Sequence, residues 1–388
     1  MRILMLNYEY PPVGGGAGEI SRHIAEGLAA KGHVVHVLTV CYKDYQVSSI
    51  QNKVQVTRLS SKRKYRFKSN PVEMLSWMRM AKKFLFRHLE KTRYDICFAH
   101  FALPCGEVAY TMKLKFDLHY VVMSHGHDIP WFFPKQMMVY HMFTYGWIKR
   151  IVLRSKALFV QSDDMERNAK LFVGKRNAHL VHQIPNGWNA AYFYPNIAKR
   201  SKRFEIVFPG RLVKQKDPFS FLNAIAMLRD KLPELHVRIL GDGPLRHKME
   251  LFVKNHDLTR LVQFEGWVDK SAMRNAYQSA SLVVLPSLNE GMSMATMEAI
   301  ACGTYVIVTD VSRNTKIIEP GVNGDIVKQQ DEADLAAKIE SFYHGKFKNE
   351  YKIPMSVIKK LDDIYAWDTV VNLYDDKLKQ IISSSVLT

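Results

Sequence analysis

A chain of 388 residues exceeds the roughly 250–300 residues at which a single hydrophobic core stops growing, so the sequence predicts two domains. Its hydrophobic content of 47% is ordinary for a globular protein, and its most apolar uncharged stretch, Gln136–Ile148, is too short and too polar to span a membrane. The formal net charge of +18 favours an anionic partner, and the absence of helix-turn-helix, zinc-finger and RNP-type patterns argues against nucleic acid.

Most of this charge lies in the first half of the chain. Residues 1–195 contain 28 Lys and Arg against 13 Asp and Glu, a net charge of +15, whereas the remainder carries only +3. Within Arg58–Arg93 there are 12 basic residues and two acidic ones. We therefore expect this half to bind an anionic membrane surface, although a charge that only serves solubility would give the same count.

The chain opens with a βαβ pattern. Ile3–Leu6 and Val34–Val40 predict buried parallel strands, joined by the loop Tyr8–Gly18 and a helix over Glu19–Lys31. Because polar residues follow Leu6 so soon, the opening predicts a strand rather than a signal peptide. The four cysteines form no CxxC pair, which favours reduced thiols in a cytoplasmic protein.

The first loop is rich in glycine. Gly14, Gly15, Gly16 and Gly18 would let backbone amides approach an anion, or would simply make the loop flexible. Their spacing fits neither GxGxxG nor a P-loop, which disfavours both kinds of site.

The segment Glu73–Arg93 predicts a cationic amphipathic helix, because Trp77, Met78 and Leu85 alternate with arginines and lysines. Such a helix either lies in a membrane interface or is a surface helix whose lysines extend past apolar neighbours.

Strands over Tyr94–Ala99 and Leu118–Ser124 follow, and the second leads into His125, His127 and Asp128. A metal site is disfavoured because adjacent side chains on an extended chain diverge. We expect His125 to form hydrogen bonds in a cleft, with a structural role as the alternative.

Two apolar segments come next, Trp131–Pro134 and Met137–Trp147. They fit an acceptor groove, a membrane-facing edge or ordinary core packing.

Turn residues and charges over Pro185–Arg203 predict a connection between a domain at 1–190 and a second at 197–365. After it the alternation of strands and helices restarts, which predicts a second doubly wound α/β domain and an active cleft between the two. Its elements are expected at Glu205–Phe208, Phe219–Arg229, His236–Leu240, Arg246–Asn255, Val262–Phe264, Ser271–Gln278, Leu282–Leu285 and Thr304–Val308.

Two cations follow the first strand of this second domain. Arg211 stands directly after Gly210, and Lys216 lies five residues further on. Beside a helix start they suit a diphosphate clamp, in which Arg binds as a bidentate fork and Lys as a point charge. A solvated surface pair is the alternative, and the turn Gly241–Pro244 is interpreted as structural.

The strand Leu282–Leu285 leads into a loop that contains Glu290. A helix follows, for which Ser293 is the expected N-cap and which contains Glu298. The helix start and its N–H groups would attract a diphosphate, and the two carboxylates would accept hydrogen bonds from sugar hydroxyls. Two solvated glutamates on a surface helix are the alternative. The residues of this turn are Gly291, Met292, Ser293 and Met294.

Taken in order, seven segments resemble the retaining glycosyltransferases of family 4, which have the GT-B architecture of two Rossmann-like doubly wound domains facing across a cleft. They are the opening YPPVGGGAGEISRHIAEG, His125–Asp128, Pro185–Gly187, Gly210–Lys216, Gly241–Pro244, Phe264–Val268, and Glu290–Glu298 with Ala301–Gly303. The resemblance spans nearly the whole chain, and it implies that a last helix, near residues 366–385, crosses back onto the first domain.

The resemblance implies which residues bind the donor. Arg211 and Lys216 would hold the diphosphate of a nucleotide sugar, together with the backbone of Gly15 and Gly16. Glu298 would accept hydrogen bonds from the ribose.

It also implies contacts to the sugar and the base. Glu290 would contact the transferred sugar, and His125 would hydrogen-bond that sugar near its 6-position. The backbone of Trp267 and Val268 would meet the base. Glu290 and His125, with the two cations of the clamp, are thus the expected catalytic residues.

The expected reaction is the retaining transfer of a sugar, from a UDP-sugar in preference to a GDP-sugar, to a saccharide or lipid-linked saccharide at the inner face of the membrane. Because the chain contains no Asp-x-Asp sequence, neither a metal ion nor another cofactor is expected.

The sequence departs from the family at Ser312–Lys316, where a Gly-Gly-x-Pro-Glu segment is common, and at Gly187–Asn189, where Val-Asp usually follows the glycine. The first departure leaves the donor open. A nucleotide-sugar epimerase and a non-catalytic nucleotide-sugar or lipid-binding protein are the competing hypotheses.

Overall fold

The computed structural model describes residues 1–42, 47–65, 69–126, 128–130, 134–189, 191–290, 292–311 and 314–386. It contains two compact units. The N-terminal unit comprises Met1–Gly187 with Trp367–Thr388, and the C-terminal unit comprises Trp188–Ala366. In the described part of the chain, no helix combines the length and the apolar character needed to cross a bilayer.

The N-terminal unit is built on an eight-stranded sheet in the order β3-β4-β2-β1-β5-β6-β7-β8. All neighbouring strands are parallel except β3 and β4, which form an antiparallel pair. The strands are β1 (Arg2–Leu6), β2 (Val34–Val40), β3 (Ser48–Gln51), β4 (Val54–Leu59), β5 (Ile96–His100), β6 (Tyr120–Met123), β7 (Leu158–Val160) and β8 (Val181–Gln183). The central strands are almost wholly apolar because helices cover both faces of the sheet.

Five helices connect these strands: α1 (Gly16–Ala30), α2 (Pro71–His88), α3 (Glu107–Phe116), α4 (Pro134–Leu153) and α5 (Asp163–Val173). A short π-helical turn at Phe101–Gly106 precedes α3.

The C-terminal unit is a six-stranded parallel sheet in the order β11-β10-β9-β12-β13-β14, the order of a Rossmann fold. Its strands are β9 (Phe204–Pro209), β10 (Leu235–Leu240), β11 (Val262–Gly266), β12 (Leu282–Leu285), β13 (Tyr305–Thr309) and β14 (Gly324–Val327). Its helices are α6 (Pro218–Leu228), α7 (Arg246–Asn255), α8 (Lys270–Ser279), α9 (Met294–Ala301), α10 (Asn314–Ile317), α11 (Glu332–Phe342) and α12 (Met355–Tyr365). The two doubly wound sheets confirm the predicted fold class.

The last helix, α13 (Trp367–Val386), belongs to the N-terminal unit and packs on α1. Trp367 stacks on His23 with ring centroids 4.7 Å apart. The Asp375 carboxylate accepts a hydrogen bond from His33 Nε2 at 2.8 Å. Gly27 lets α1 and α13 approach closely, because a Cβ atom at this position would lie 2.5 Å from a methyl carbon of Val371.

Trp188, at the second departure from the family pattern, is fully buried in the C-terminal unit. Its indole N–H donates to Asp362 at 2.6 Å, and its backbone N–H donates to Tyr365 at 2.8 Å. These bonds hold the first residue of the unit to its last helix.

The predicted boundaries of two helices were wrong. α1 begins at Gly16 rather than Glu19, because Gly15 already accepts the first helical hydrogen bonds. α2 begins at Pro71, after Asn70 caps the N–H of Glu73, and it ends at His88 rather than Arg93. The β3–β4 pair was not predicted, because Ser48–Gln51 lacks an apolar alternation.

The amphipathic segment was expected either in a membrane interface or on the surface. In α2 the residues Trp77, Met78 and Leu85 are buried in the core of the N-terminal unit. The apolar face of this helix therefore packs on the protein itself.

We expect Gly27→Ala to destabilise the N-terminal unit by about 1–3 kcal/mol, because the new methyl group must displace the stiff, buried Val371 side chain. The matched control is Gly146→Ala in α4, where nothing lies within 4 Å of a Cβ position and helix propensity should stabilise slightly. Urea unfolding of both variants measures the effect. Combining Gly27→Ala with Val371→Ala should recover part of the loss, and equal costs for the two glycine variants would contradict the close packing.

Acid should destabilise the N-terminal unit selectively. Among the described residues, the histidines whose pKa is lowered by burial all lie there: His36, His88, His100, His119 and His182. Burial lowers the pKa of His36 from 6.5 to about 4, so the unfolded chain gains a proton first, and stability is lost as the pH falls from 6.5 toward 4. At pH 5 this one residue should cost about 2 kcal/mol.

Calorimetry of the whole chain between pH 7.5 and pH 5 tests this expectation. The Tm of the N-terminal unit should fall more than that of the C-terminal unit as the pH is lowered. His36→Asn should lower stability at pH 7.5 yet reduce its dependence on pH. An unchanged pH slope in that variant would show that His36 does not contribute.

Candidate functional site

The C-terminal unit has one topological switch point, between the neighbouring strands β9 and β12. Chain connections leave these two strands in opposite directions, so the loops after them meet in the crevice where open α/β sheets bind ligands. The loop after β9 carries Gly210, Arg211 and Lys216, and the loop after β12 carries Glu290.

The two loops are joined by three hydrogen bonds. Leu288 N–H donates to the carbonyl of Gln215 at 2.8 Å, and the Gln215 side chain donates to the carbonyl of Asn289 at 2.9 Å. Lys216 Nζ donates to Glu290 Oε2 at 2.6 Å, with about a sixth of each side chain exposed, 15% and 17%. Lys216 and Glu290 were expected to have separate roles, and their ion pair was not predicted from the sequence.

The turn Gly241–Pro244 holds the first loop in place. Gly210 and Gly241 both have positive φ, at +122° and +146°, and a Cβ atom on Gly241 would lie only 1.9 Å from the carbonyl oxygen of Gly210. Leu212 N–H donates to the carbonyl of Asp242 at 3.0 Å. Direct backbone packing of this kind requires glycine and fixes the path of the residues around Arg211.

Arg211 differs from Lys216 in its surroundings. Its side chain is exposed and makes no hydrogen bond or ion pair with the described residues. An exposed guanidinium beside a lysine–glutamate pair is a positive group open to an anionic ligand.

The start of α9 supplies backbone donors next to Glu290. Ser293 caps the helix, since its hydroxyl accepts from Thr296 N–H at 3.3 Å. Met292 and Ser293 are buried, Met294 is half-buried, and Gly291 lies outside the described residues. The predicted N-cap at Ser293 is therefore correct.

Glu298 is half-buried on α9, facing α8. Burial and then the charge of Glu298 raise the pKa of the Tyr277 hydroxyl and raise the pKa of the Cys302 thiol to about 12. The carboxylate thus lies near both groups.

Trp267 and Val268 follow β11 at the other side of β10. Gly266 has a φ of +74°, and its carbonyl accepts from Gly241 N–H at 2.7 Å. The Trp267 side chain is exposed and Val268 is half-buried.

In the N-terminal unit, the glycines of the first loop divide into two groups. A Cβ atom on Gly14 or Gly18 would clash with Glu9, at 2.6 and 2.4 Å respectively. Gly15 and Gly16 are exposed at the N-terminus of α1 and have nothing within 4 Å of a Cβ position. The second pair thus combines exposure with a position at a helix N-terminus, which suits an anion.

His125 follows β6 and contacts a second histidine, His100, at the end of β5. His125 Nε2 lies 3.1 Å from His100 Nδ1, and the two rings stack with centroids 5.4 Å apart. Burial, and then the neighbouring His125 ring, lowers the pKa of His100 well below its usual range, so His100 is neutral at pH 7.

Asp128 supports the turn that carries His125. It accepts from Ala102 N–H at 2.8 Å, from the Ser124 hydroxyl at 2.7 Å and from His125 N–H at 3.1 Å. Burial nevertheless raises the pKa of this carboxyl. These bonds make Asp128 a structural residue, while His127 lies outside the described residues.

His100 and Gln215 were not predicted as site residues. Both could have been identified from the sequence, since His100 is the last residue of an apolar strand and Gln215 adjoins Lys216. Within the described ranges, no three His, Cys, Asp or Glu side chains are grouped to hold a metal ion. Trp131, Phe132 and Phe133, with Ser312 and Arg313 of the departing segment, lie outside the described residues.

The chain is similar to known proteins over nearly its whole length. An uncharacterized glycosyltransferase of Methanocaldococcus jannaschii is 27% identical over 96% of this chain and 98% of its own length. The structure of sucrose-phosphate synthase from Thermosynechococcus elongatus matches with a TM-score of 0.87 at 20% identity, covering 99% of this chain and 100% of that one. HepE of Anabaena, in complex with UDP-glucose, matches with a TM-score of 0.79 at 17% identity over 98% of this chain and 100% of its own.

Two family models match consecutive parts of the chain. The model of Glycosyltransferase Family 4 matches residues 14–192, and the model of Glycosyl transferases group 1 matches residues 194–355. The matched segments contain every site residue described above. The chain therefore belongs to the family 4 glycosyltransferases, which have the GT-B architecture.

Proposed function

We propose that this glycosyltransferase moves a sugar, with retention of its anomeric configuration, from a nucleoside-diphosphate sugar to a saccharide acceptor. The observation that carries the proposal is the ion pair of Lys216 and Glu290 at the switch point, with Arg211 exposed beside it. The pair places a cation suited to a diphosphate next to a carboxylate suited to a sugar hydroxyl.

The donor contacts follow from the chemistry of each group. Arg211 and Lys216 bind the diphosphate and stabilise the negative charge that develops as the nucleoside diphosphate departs. The N–H groups at the start of α9, from Gly291 to Met294, add to this stabilisation, and Glu298 accepts from the ribose. The backbone at Trp267 and Val268 meets the base.

On the N-terminal unit, the proposed donor contacts are the N–H groups of Gly15 and Gly16 and the side chain of His125. The two glycines are exposed at the N-terminus of a 15-residue helix, where the helix dipole favours an anion. His125 is oriented by its contact with His100 and hydrogen-bonds the transferred sugar.

The reaction needs no nucleophilic side chain. The acceptor hydroxyl attacks from the face that the diphosphate leaves, and a donor phosphate oxygen takes its proton. Neither a metal ion nor another cofactor is required, since side-chain cations and backbone N–H groups neutralise the leaving group.

A UDP-sugar is the favoured donor. The supporting observation is the similarity to HepE, which was crystallised with UDP-glucose. The favoured acceptor is a saccharide or lipid-linked saccharide at the inner face of the cytoplasmic membrane. The excess of basic residues in the first half of the chain supports an anionic membrane surface as the partner.

A nucleotide-sugar epimerase on the same architecture would convert the donor alone. An assay with donor but no acceptor separates the two activities, because only an epimerase then gives a new sugar nucleotide. A non-catalytic nucleotide-sugar or lipid-binding protein would bind UDP without turnover in either assay.

Lys216→Ala should lower kcat/KM for sugar transfer by about 30- to 1,000-fold, because a charge that stabilises the departing diphosphate is lost. The matched control is Lys254→Ala, which removes an exposed lysine from α7. Steady-state rates against a panel of saccharide acceptors provide the measurement. Full turnover in Lys216→Ala would refute the proposed site.

UDP at 100 times its Kd should stabilise the folded chain by about 2.7 kcal/mol and so raise its Tm. GDP and ADP should raise the Tm less. Arg211→Ala should shrink the shift while leaving the ligand-free Tm unchanged, since Arg211 has no partner among the described residues. Differential scanning fluorimetry measures both. A larger shift with GDP or ADP would redirect the choice of donor, and a normal UDP shift in the variant would remove Arg211 from the site.

A further inference from the structure

Three helices of the N-terminal unit, α2, α3 and α4, are joined through the side chain of Glu107 on α3. Lys82 of α2 donates to one carboxylate oxygen at 2.7 Å, and the indole N–H of Trp147 on α4 donates to the other at 2.7 Å. Arg150 of α4 lies over the ring of Tyr110 on α3, 5.4 Å from its centroid. The three helices therefore form one connected layer.

The charges exposed on this layer are positive. The three helices contain nine Lys and Arg but only two acids, Glu73 and Glu107, and both acids are buried. Because the acids are turned inward, the outer surface of the layer keeps its cations without compensation. The exposed cations are Arg79, Lys83, Arg87, Lys115 and Arg150.

The same layer exposes large apolar side chains, and α4 carries more of them than α2 or α3. Met138, Val139, Met142 and Phe143 occupy two successive turns of one face of this helix and are 63–80% exposed. This differs from α2, whose Trp77, Met78 and Leu85 are buried in the core. A protruding apolar face of this kind usually has a partner in the cell.

We propose that α4 is the element through which the protein binds an anionic lipid bilayer. Met142 and Phe143 enter the boundary between headgroups and acyl chains, while the exposed arginines and lysines of the layer contact anionic headgroups. The inference deepens the membrane part of the proposed function. Of the two segments for which the sequence allowed a membrane contact, Glu73–Arg93 and Met137–Trp147, it selects the second, which lies in α4.

Charge complementarity favours lipid over a second copy of the chain as the occupant of this face. In a symmetric dimer the same face of both copies would meet, and each brings exposed cations and no exposed acid from the three helices. An anionic bilayer supplies the opposite charge together with an apolar interior.

Vesicle flotation of the full chain tests the proposal with phosphatidylcholine vesicles that contain either no phosphatidylglycerol or about a third of it. The wild-type chain should bind only the anionic vesicles, and binding should weaken as salt rises. Met142→Ser combined with Phe143→Ser should lower partitioning by on the order of tenfold or more. The matched control, Leu251→Ser combined with Met355→Ser, removes exposed apolar residues from the C-terminal unit and should change nothing.

A second pair of variants tests the charges. Arg79→Glu with Lys83→Glu should weaken binding and flatten its salt dependence, whereas Lys254→Glu with Arg260→Glu on the C-terminal unit should not. Equal binding to neutral and anionic vesicles would overturn the proposal. Normal flotation of the Met142 and Phe143 variant would also overturn it, as would light scattering that shows a dimer lost in that variant.

Flotation is independent of catalysis. The serine variants of α4 should keep the UDP-induced rise in Tm and full activity on a soluble acceptor, so a failed flotation experiment leaves the proposed reaction standing. Conversely, Lys216→Ala should float normally, whether or not it transfers sugar.

Discussion

The candidate site depends on one interaction, the ion pair between Lys216 and Glu290. It joins the loop after β9 to the loop after β12, and the Gln215 hydrogen bonds strengthen the same junction. Because both side chains are mostly buried, each charge offsets the desolvation cost of the other. The two charges thus compensate each other. A donor phosphate competes with Glu290 for the lysine, and a sugar hydroxyl competes with Lys216 for the carboxylate.

Backbone packing supports the pair from behind. The path of Gly210 is set by contact with the Gly241 turn, at distances that admit no side chain. The turn contacts this loop through its backbone, and it fixes where Arg211 and Lys216 leave the sheet. In the N-terminal unit Asp128 has a similar supporting role, because its hydrogen bonds hold the turn that presents His125.

The two basic helices show how burial decides the use of an amphipathic sequence. α2 and α4 both combine aromatic residues with arginine or lysine, and the sequence allowed a membrane contact for each of them. Packing buries Trp77 of α2 in the core, whereas Phe143 of α4 remains exposed. A period of 3.6 residues identifies a face, but it does not tell whether protein, lipid or water lies against that face.

The sequence by itself determined the fold class, because apolar strands that alternate with amphipathic segments allow little besides two doubly wound sheets. It also placed Arg211, Lys216, Glu290 and Glu298 at the carboxyl ends of strands, and capped α9 at Ser293. Only the tertiary structure decided which of these side chains meet, since Lys216 and Glu290 are 74 residues apart and pair through strand order. The contact of His100 with His125 likewise requires β5 and β6 to be neighbours, a fact of topology that no local pattern carries.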